Sequence, residues 1–317
     1  MLILANDGID PEGKRILESA GFQVQTDKVA QEQLAPFIKD NQVVGVLVRS
    51  ATQITEEELT SSPYLKVIGR AGVGLDNIDL KSAEANGVAV VNTPAASSQS
   101  VAELVLAHLF TVSRFLQQSN RDMPASGVSE FGKLKKSYSK GSELQGKTLG
   151  IVGIGRIGQA LAKMALGLGM KVVAHDPFIP EIGLIFDVHI YGEVKVSLQT
   201  ISLEKLLAVS DVISFHVPKP KDGSMITASE FSKMKEGVIL INASRGGVVN
   251  EHDLLAALET GKVKAAGLDV FENEPTPNPL LLSHPRVSVT PHIGASTNEA
   301  QQRIGIELAE KVIAAIG

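Results

Sequence analysis

The segment LGIVGIGRIGQALAKMALGLGMKVVAHDP, from Leu149 to Pro177, determines the fold of this 317-residue chain. It opens with a short apolar run that is typical of a buried parallel strand. Apolar residues in helical spacing follow from Arg156 to Gly169, and a second apolar run ends at Asp176. The order strand, loop, helix, strand predicts a βαβ unit within a parallel sheet.

The loop inside this segment has Gly153, Gly155 and Gly158 in Gly-x-Gly-x-x-Gly spacing. The first glycine of such a loop allows a tight turn, the second lets the backbone approach a pyrophosphate, and the third lets the helix pack on the strand. The spacing alone is weak, but here an acid, Asp176, also follows 18 residues after Gly158. That carboxylate suits the ribose hydroxyls of NAD and repels the 2′-phosphate of NADP, so we predict an NAD site.

Composition limits the classes of function that are open to the chain. Net charge is −5 with a sequence pI of about 5.9, so we expect neither a nucleic acid nor a membrane as partner. The chain has no cysteine, which excludes disulfides, thiolate metal sites and cysteine nucleophiles. No histidine or acid pair has metal-ligand spacing, and the N-terminus lacks the features of a signal peptide. We therefore expect a cytoplasmic protein without a metal.

Strands and helices alternate on both sides of the glycine loop, which predicts an α/β protein with doubly wound parallel sheets. Ser97 to Asn120 is predicted as one long helix, with His108 as a satisfied core or interface histidine. Residues 121–143 have no clear period and are predicted as a solvated loop, unless a partner subunit covers them. Gly183 to Gln199 is predicted as a β-hairpin that turns near Gly192.

In a parallel sheet, ligands bind beyond the carboxyl ends of the strands, where several polar residues of this sequence fall. Arg49 and Arg70, at two such ends, would suit a substrate phosphate. The residues expected around the cofactor are Gly153, Gly155, Arg156, Ile157, Gly158, Asp176, Pro177, His216, Val217, Pro218, Ala243, Ser244, Arg245, Asp269, His292 and Gly294.

Arg245, Glu274 and His292 are the candidate catalytic residues. Hydride transfer between a 2-hydroxy acid and a nicotinamide needs a cation for the substrate carboxylate and a group that moves the hydroxyl proton. It also needs a carboxylate that orients a histidine and favours its imidazolium form. Glu272 lies close to Glu274, and spacing does not decide between these two acids.

Four segments together resemble the D-isomer-specific 2-hydroxyacid dehydrogenases, most closely their D-3-phosphoglycerate dehydrogenase branch. They are GRAGVGLDNID at 69–79, GIGRIG at 153–158, NASRGGVV at 242–249 and PHIGAST at 291–297. The resemblance implies that Arg245, Glu274 and His292 are catalytic, and so favours Glu274 over Glu272. It also implies that the loop from Arg70 to Gly74 binds the substrate carboxylate through backbone N–H groups. The substrate-binding residues so expected are Arg49, Ser50, Arg70, Gly72, Val73 and Gly74.

The resemblance also implies a domain organisation. A flavodoxin-like substrate-binding domain would comprise residues 1–96 and 290–317, and a Rossmann-type NAD domain residues 97–289, with a cleft between them and hinges near residues 96 and 290. Homodimers would form through the NAD domains. The run Lys133-Leu134-Lys135-Lys136 departs from the family pattern. Residues 183–199 look like an insertion relative to the family. No C-terminal regulatory domain is expected after Gly317.

The implied activity is NAD-dependent oxidation of D-3-phosphoglycerate to 3-phosphohydroxypyruvate, a step of serine biosynthesis. An alternative within the class is reduction of glyoxylate, hydroxypyruvate or another small 2-oxo acid. An alternative from another class is an NAD-sensing scaffold or co-repressor, because the same fold also serves that role.

Overall fold

The computed structural model describes residues 1–189 and 192–317 of the chain, which divides into two compact units. The first comprises Met1–Ser100 and Ala295–Gly317, and the second comprises Val101–Gly294. None of the helices in the described ranges is long and apolar enough to cross a membrane.

The strands are β1 (Leu2–Ala5), β2 (Gln23–Gln25), β3 (Val43–Val48), β4 (Val67–Arg70), β5 (Ala89–Asn92), β6 (Thr148–Val152), β7 (Lys171–His175), β8 (Glu181–Val188), β9 (Gly192–Gln199), β10 (Val212–Phe215), β11 (Val238–Asn242), β12 (Val263–Leu268) and β13 (Val287–Val289). The helices are α1 (Pro11–Ser19), α2 (Gln31–Asp40), α3 (Glu56–Thr60), α4 (Leu80–Ala85), α5 (Ser98–Arg114), α6 (Leu116–Ser137), α7 (Arg156–Gly167), α8 (Leu203–Val209), α9 (Ala228–Lys233), α10 (Glu251–Thr260), α11 (Pro279–Ser283) and α12 (Asn298–Ile316).

The first unit is built on a five-stranded parallel sheet in the order β2-β1-β3-β4-β5. The strand order reverses between β1 and β3, which is the flavodoxin-like arrangement that we predicted. The last helix, α12, packs on this sheet, where Leu308 and Val312 lie against Gly69 of β4. Helix α12 also meets α1 closely, because a Cβ atom at Gly13 would lie only 2.4 Å from the carbonyl oxygen of Gly305.

The second unit is built on a six-stranded parallel sheet in the order β13-β12-β11-β10-β6-β7. Apolar clusters cover both faces: Ile213 and Phe215 of β10 belong to one cluster, whereas Val212 belongs to the other. Burial on both faces explains the unbroken apolar runs in the sequence. The order reverses at β6, so the loops after β6 and β10 flank the position at which such sheets bind ligands. Both sheets agree with the predicted fold class.

The structure corrects the prediction for residues 97–143. The first helix ends at Arg114, Phe115 has a positive φ of 56°, and a second helix continues to Ser137 where a loop was predicted. A helix shows an apolar period only when one face is buried, and Leu134 is the buried residue of α6. The sequence pattern therefore missed a helix that is mostly exposed.

The predicted hairpin exists as β8 and β9, which pair antiparallel from Glu181–Gln199 to Asp187–Glu193. The last pair of the ladder is Val188–Gly192, which agrees with a turn near Gly192. Ile190 and Tyr191 lie outside the described residues.

Candidate active site

The glycine loop between β6 and α7 has the conformation that its spacing predicts. Gly153 has φ +94°, and a Cβ atom there would lie 2.5 Å from the carbonyl oxygen of His216. At Gly158 a Cβ atom would lie 2.3 Å from the carbonyl oxygen of Gly153. At Gly155, in contrast, a Cβ atom would meet nothing within 4 Å, so this position opens onto free space. The loop therefore fits a pyrophosphate at Gly155.

Helix α7 begins beside this open space with Gly155 as its N-cap, and no side chain caps it. The N–H groups of its first turn, at Arg156 and Ile157, have no acceptor within the helix and therefore favour the binding of an anion. Asp176, at the end of β7, braces the loop, because its Oδ2 accepts a hydrogen bond of 3.1 Å from the Ile154 N–H. Its Oδ1 accepts one of 2.9 Å from the Phe178 N–H. The next residue, Pro177, is exposed.

The end of β10 contributes His216, Val217 and Pro218 to the opposite side of the glycine loop. His216 Nε2 lies 2.9 Å from the Ser214 hydroxyl, and its Nδ1 is buried without a hydrogen-bond partner among the described residues. Burial lowers the pKa of His216 to about 4, so the ring is neutral at pH 7. Val217 would lie 3.0 Å from a Cβ atom at Gly153, so this side chain packs directly on the loop.

Glu274 and His292 form the candidate acid–base pair. Glu274 Oε2 lies 2.8 Å from His292 Nδ1, and Glu274 Oε1 accepts a hydrogen bond of 3.0 Å from the Phe271 N–H. Burial raises the pKa of Glu274, but the hydrogen bonds from His292 and Phe271 and the charges of His292 and Arg245 outweigh it, so the pKa is lowered overall. Glu274 is therefore ionised at neutral pH and favours the imidazolium form of its partner.

Arg245 lies in the loop that follows β11, and Asn242 builds this loop. The Asn242 side chain accepts hydrogen bonds from the Ser244 N–H and hydroxyl and donates one of 2.9 Å to the Arg245 carbonyl. A Cβ atom at Gly246 would lie 1.8 Å from the Phe271 carbonyl oxygen, so only glycine allows this approach. This close contact brings the Arg245 loop against the segment that leads to Glu274.

The backbone of His292 is in the left-handed region, with φ +54°, which is costly for a residue with a side chain. The preceding strand-end acid, Asp269, is 1% exposed and holds this loop. Asp269 Oδ1 accepts from the Ile293 N–H and Oδ2 from the Gly294 N–H, both at 2.8 Å. Its carbonyl oxygen accepts from the His292 N–H, also at 2.8 Å. The second unit therefore brings Arg245, Glu274 and His292 together.

The first unit holds the predicted substrate residues in two neighbouring loops. Arg49 and Ala71 line a cavity of about 250 Å³ at the carboxyl ends of β1, β3 and β4. Ser50 is exposed and does not line this cavity. Asp7, which also lines it, accepts hydrogen bonds from the Arg49 N–H at 2.7 Å and from the Thr52 hydroxyl at 2.8 Å.

The loop from Arg70 to Gly74 does not line that cavity apart from Ala71. The Arg70 guanidinium lies over Gly72, which has φ +141° and at which a Cβ atom would be 1.7 Å from Arg70 Nη1. Within the described part of the chain, the N–H groups of Val73 and Gly74 donate no hydrogen bond. Successive unpaired N–H groups of this kind form a site for an anion such as a carboxylate.

Residues 106–294 match the model of a known family, described as D-isomer specific 2-hydroxyacid dehydrogenase, NAD binding domain. The chain is 41% identical to the hydroxypyruvate reductase of Thermotoga maritima, over 98% of this chain and 97% of that protein. It is 39% identical to rat D-3-phosphoglycerate dehydrogenase over 98% of this chain, which spans 56% of that protein. The D-lactate dehydrogenase of Aquifex aeolicus, solved with NAD and lactic acid, superposes with a TM-score of 0.78 at 31% identity, covering 100% of this chain and 95% of that one.

The chain belongs to the D-isomer-specific 2-hydroxyacid dehydrogenase family. It is therefore an oxidoreductase with an NAD-binding domain. NAD accepts or supplies the hydride when it is bound, whereas the protein's side chains bind, orient and exchange protons.

Sequence reasoning missed one feature of this dehydrogenase. Asp7 organises the Arg49 loop, and its only signal in the sequence is an acid just after the first strand. His108 is the satisfied core histidine that the sequence predicted, since it is 3% exposed and its ring nitrogens lie within hydrogen-bond distance of Ser288 and Thr290, although no spacing in the sequence pointed to those two partners.

Proposed function

We propose that this dehydrogenase oxidises D-3-phosphoglycerate to 3-phosphohydroxypyruvate with NAD, and that Arg245, Glu274 and His292 are its catalytic residues. The observation that carries the proposal is the 2.8 Å contact between Glu274 and His292 beside the charge of Arg245. A histidine that is held by a carboxylate at Nδ1 keeps Nε2 for the substrate.

In this mechanism the neutral His292 accepts the proton of the substrate hydroxyl at Nε2 as the hydride leaves the same carbon. The proton makes His292 an imidazolium, which the ionised Glu274 stabilises at Nδ1. Arg245 binds the substrate carboxylate and polarises the carbonyl that forms. The N–H groups of Val73 and Gly74, in the first unit, are also proposed as an anion-binding group.

Arg49 is the proposed phosphate-binding residue. It lines a cavity in the first unit where Asp7 holds its backbone in place, and a guanidinium binds a phosphate through two parallel hydrogen bonds. Arg70, whose guanidinium lies over Gly72, is a further cation at a strand end of the same unit. Two cations at strand ends favour a phosphorylated acid over a neutral analogue of the same length.

A second candidate substrate has its own support. The hydroxypyruvate reductase of T. maritima matches over 97% of its length, whereas the chain spans 56% of the rat phosphoglycerate dehydrogenase. An unphosphorylated 2-oxo acid would not need Arg49, so the role of this side chain separates the two activities.

The test is an NADH-absorbance assay that compares 3-phosphoglycerate with glycerate, D-lactate and 2-hydroxyglutarate, and 3-phosphohydroxypyruvate with hydroxypyruvate and glyoxylate. Arg49→Leu should reduce kcat/KM for the phosphorylated acid by roughly tenfold to a hundredfold and leave glycerate unchanged, since a charged hydrogen bond contributes about 1.5–3 kcal/mol. Arg15→Leu is the matched control, because Arg15 is exposed on α1 and pairs with Glu12. If the wild type prefers hydroxypyruvate and Arg49→Leu leaves its kcat/KM unchanged, the enzyme is instead a hydroxypyruvate reductase.

We also propose that the dehydrogenase is a cytoplasmic homodimer that associates through the NAD-binding unit. Large apolar side chains are exposed along α5 and α6, and the most exposed are Val128 and Phe131 at 106% and 58%. An exposed apolar surface of this kind marks an interaction site. Light scattering at micromolar concentration should give the mass of a dimer, and a monomeric mass would contradict the proposal.

A further inference from the structure

A buried histidine that takes no part in the proposed reaction lies behind the His292 loop. His108, on α5, is 3% exposed. Its imidazole lies against Gly267 of β12, where a Cβ atom would be 2.6 Å from His108 Cβ and 2.9 Å from Cγ. The strand therefore accommodates the ring only because residue 267 has no side chain.

Both ring nitrogens of His108 have partners that belong to β13 or the residue after it. Nδ1 lies 2.9 Å from the Ser288 hydroxyl, and Nε2 lies 3.0 Å from the Thr290 hydroxyl. The Thr290 hydroxyl in turn lies 2.6 Å from Asp269 Oδ1. A continuous chain of hydrogen bonds thus links α5 to the acid that holds the His292 loop.

The protons of this chain can be assigned from what each group is able to donate. Asp269 already accepts two backbone N–H groups, and a carboxylate donates nothing, so Thr290 must donate its single proton to Asp269. The Thr290 oxygen is then the acceptor from His108, which therefore carries a proton on Nε2. Ser288 completes the chain by donating to Nδ1.

Burial supports this assignment. Desolvation lowers the pKa of His108 and outweighs the opposite effect of the Asp269 charge, so the ring is neutral at pH 7. A neutral ring has one N–H group, and the chain requires it at Nε2. The orientation is therefore fixed along the whole path from Ser288 to Asp269.

The far end of the path is a strained segment. His292 has φ +54°, and its N–H together with those of Ile293 and Gly294 is held by Asp269 alone among the described residues. A carboxylate that is free to rotate would release this segment toward an ordinary conformation. The Thr290 hydroxyl gives this carboxylate a third hydrogen bond that does not come from the strained segment, and His108 orients that hydroxyl.

We propose that His108, as its Nε2–H tautomer, is a positioning residue for His292, acting through Thr290 and Asp269. The inference rests on the proposed role of His292 in proton transfer. It predicts that the donor at His108 Nε2 sets the alignment of His292 and therefore kcat.

The first experiment does not use activity. In nitrogen-15 NMR spectra of the wild-type dehydrogenase, His108 should show a proton-bearing Nε2 and a bare Nδ1 between pH 6 and 8, and the amide signals of Ile293 and Gly294 should shift in His108→Asn. A proton on Nδ1 would overturn the inference even if the enzyme is fully active. A wild type that turns over no 2-hydroxy acid would refute the proposed function but leave this tautomer test in force.

The second experiment separates positioning from stability. His108→Gln can place an amide N–H near the Nε2 position, whereas His108→Asn reaches only the Nδ1 position and loses the donor to Thr290. We expect His108→Asn to reduce kcat by roughly tenfold or more, because small misplacements near the reacting atoms cost about that much. His108→Gln should restore most of the loss.

Val112→Ala, on the same helix and in the core, is the control for lost stability alone. It should lower the melting temperature and leave kcat unchanged at the assay temperature. The inference fails if the Asn and Gln variants have equal kcat, or if kcat follows the melting temperature through all three variants. On a Thr290→Val background, His108→Asn should have no further effect on kcat, since the hydroxyl that it orients is absent.

Discussion

Replacing Glu274 by glutamine removes one negative charge from beside His292 and keeps the size of the side chain. In the wild type, Glu274 Oε2 is 2.8 Å from His292 Nδ1, and the pKa of Glu274 is lowered mainly by this hydrogen bond and by the Phe271 N–H, against the effect of burial. The ionised acid thus favours the imidazolium over the neutral ring. Without the charge of Glu274, the imidazolium form loses this stabilisation.

The size of the effect follows from distance and exposure. Two unit charges 4 Å apart interact by about 1 kcal/mol in water and by about 4 kcal/mol at an effective dielectric constant of about 20. The side chains of His292 and Glu274 are 42% and 37% exposed, so solvent screens the pair and the lower end applies. An energy of about 1–1.5 kcal/mol corresponds to a shift of about one pH unit.

The hydrogen bonds of Glu274 also favour the imidazolium form in the wild type over that in the glutamine variant. The two carboxylate oxygens of Glu274 each accept a hydrogen bond, one from Phe271 and one from His292. Glutamine has a single oxygen, so if it keeps the Phe271 N–H, its amide N–H group faces Nδ1. That contact favours a ring without a proton on Nδ1 and opposes the imidazolium further.

The assay measures kcat against pH in both directions by NADH absorbance. Reduction needs protonated His292, so the alkaline limb of its profile should move to lower pH by about one unit in Glu274→Gln. Oxidation needs the neutral ring, so the acidic limb of its profile should move to lower pH as well. Glu272→Gln is the control, because Glu272 is exposed and accepts the Glu251 N–H instead of contacting His292. Limbs that stay in place in Glu274→Gln would refute the coupling between Glu274 and His292.

Three further outcomes follow from the structure. His292→Ala should reduce kcat by roughly 10²–10⁴-fold with little change in the Kd for NAD, and near-normal kcat would refute its role in proton transfer. Asp176→Ala should narrow the preference for NAD over NADP measured by kcat/KM, and equal use of both cofactors by the wild type would contradict the assignment. His216 has a pKa lowered to about 4, so the unfolded chain binds the extra proton and stability is lost as pH falls from about 6.5 to about 4. His216→Gln should flatten the pH dependence of the free energy of unfolding in that window, measured by urea denaturation, and an unchanged slope would show that the ring is not protected from protonation.

Much of the fold could be predicted because parallel strands buried on both faces produce continuous apolar runs. The loop at Gly153 was equally readable, since two of its glycines are imposed by approaches of 2.5 and 2.3 Å to carbonyl oxygens. Helix α6 could not be predicted, because its mainly exposed surface removes the period that identifies a helix. The end of α5 was also missed, because the residue with the left-handed backbone there is Phe115 and not a glycine, which would mark such a position in the sequence.

The choice between Glu272 and Glu274 shows how far the residues of the candidate site could be predicted from the sequence. Both acids follow the same strand, and their spacing carries no information on which one reaches a histidine 18 or 20 residues later in the sequence. The resemblance favoured Glu274, and the contact with His292 lies on that residue. Glu272 instead pairs with Glu251, where each carboxylate accepts a hydrogen bond from the backbone N–H of the other residue.

The acids at the strand ends show why sequence patterns leave such choices open. Asp7 accepts backbone N–H groups of the Arg49 loop, Asp176 those of Ile154 and Phe178, and Asp269 those that follow His292. A carboxylate offers about four lone-pair sites, so one acid can hold a neighbouring loop and still accept from a ligand. Every residue except proline has a backbone N–H, so no motif marks the donor. Sequence patterns therefore identified Asp176 and Asp269 as candidates for ligand binding and missed Asp7, whereas the structure shows that each of the three acids holds a neighbouring loop that carries candidate site residues.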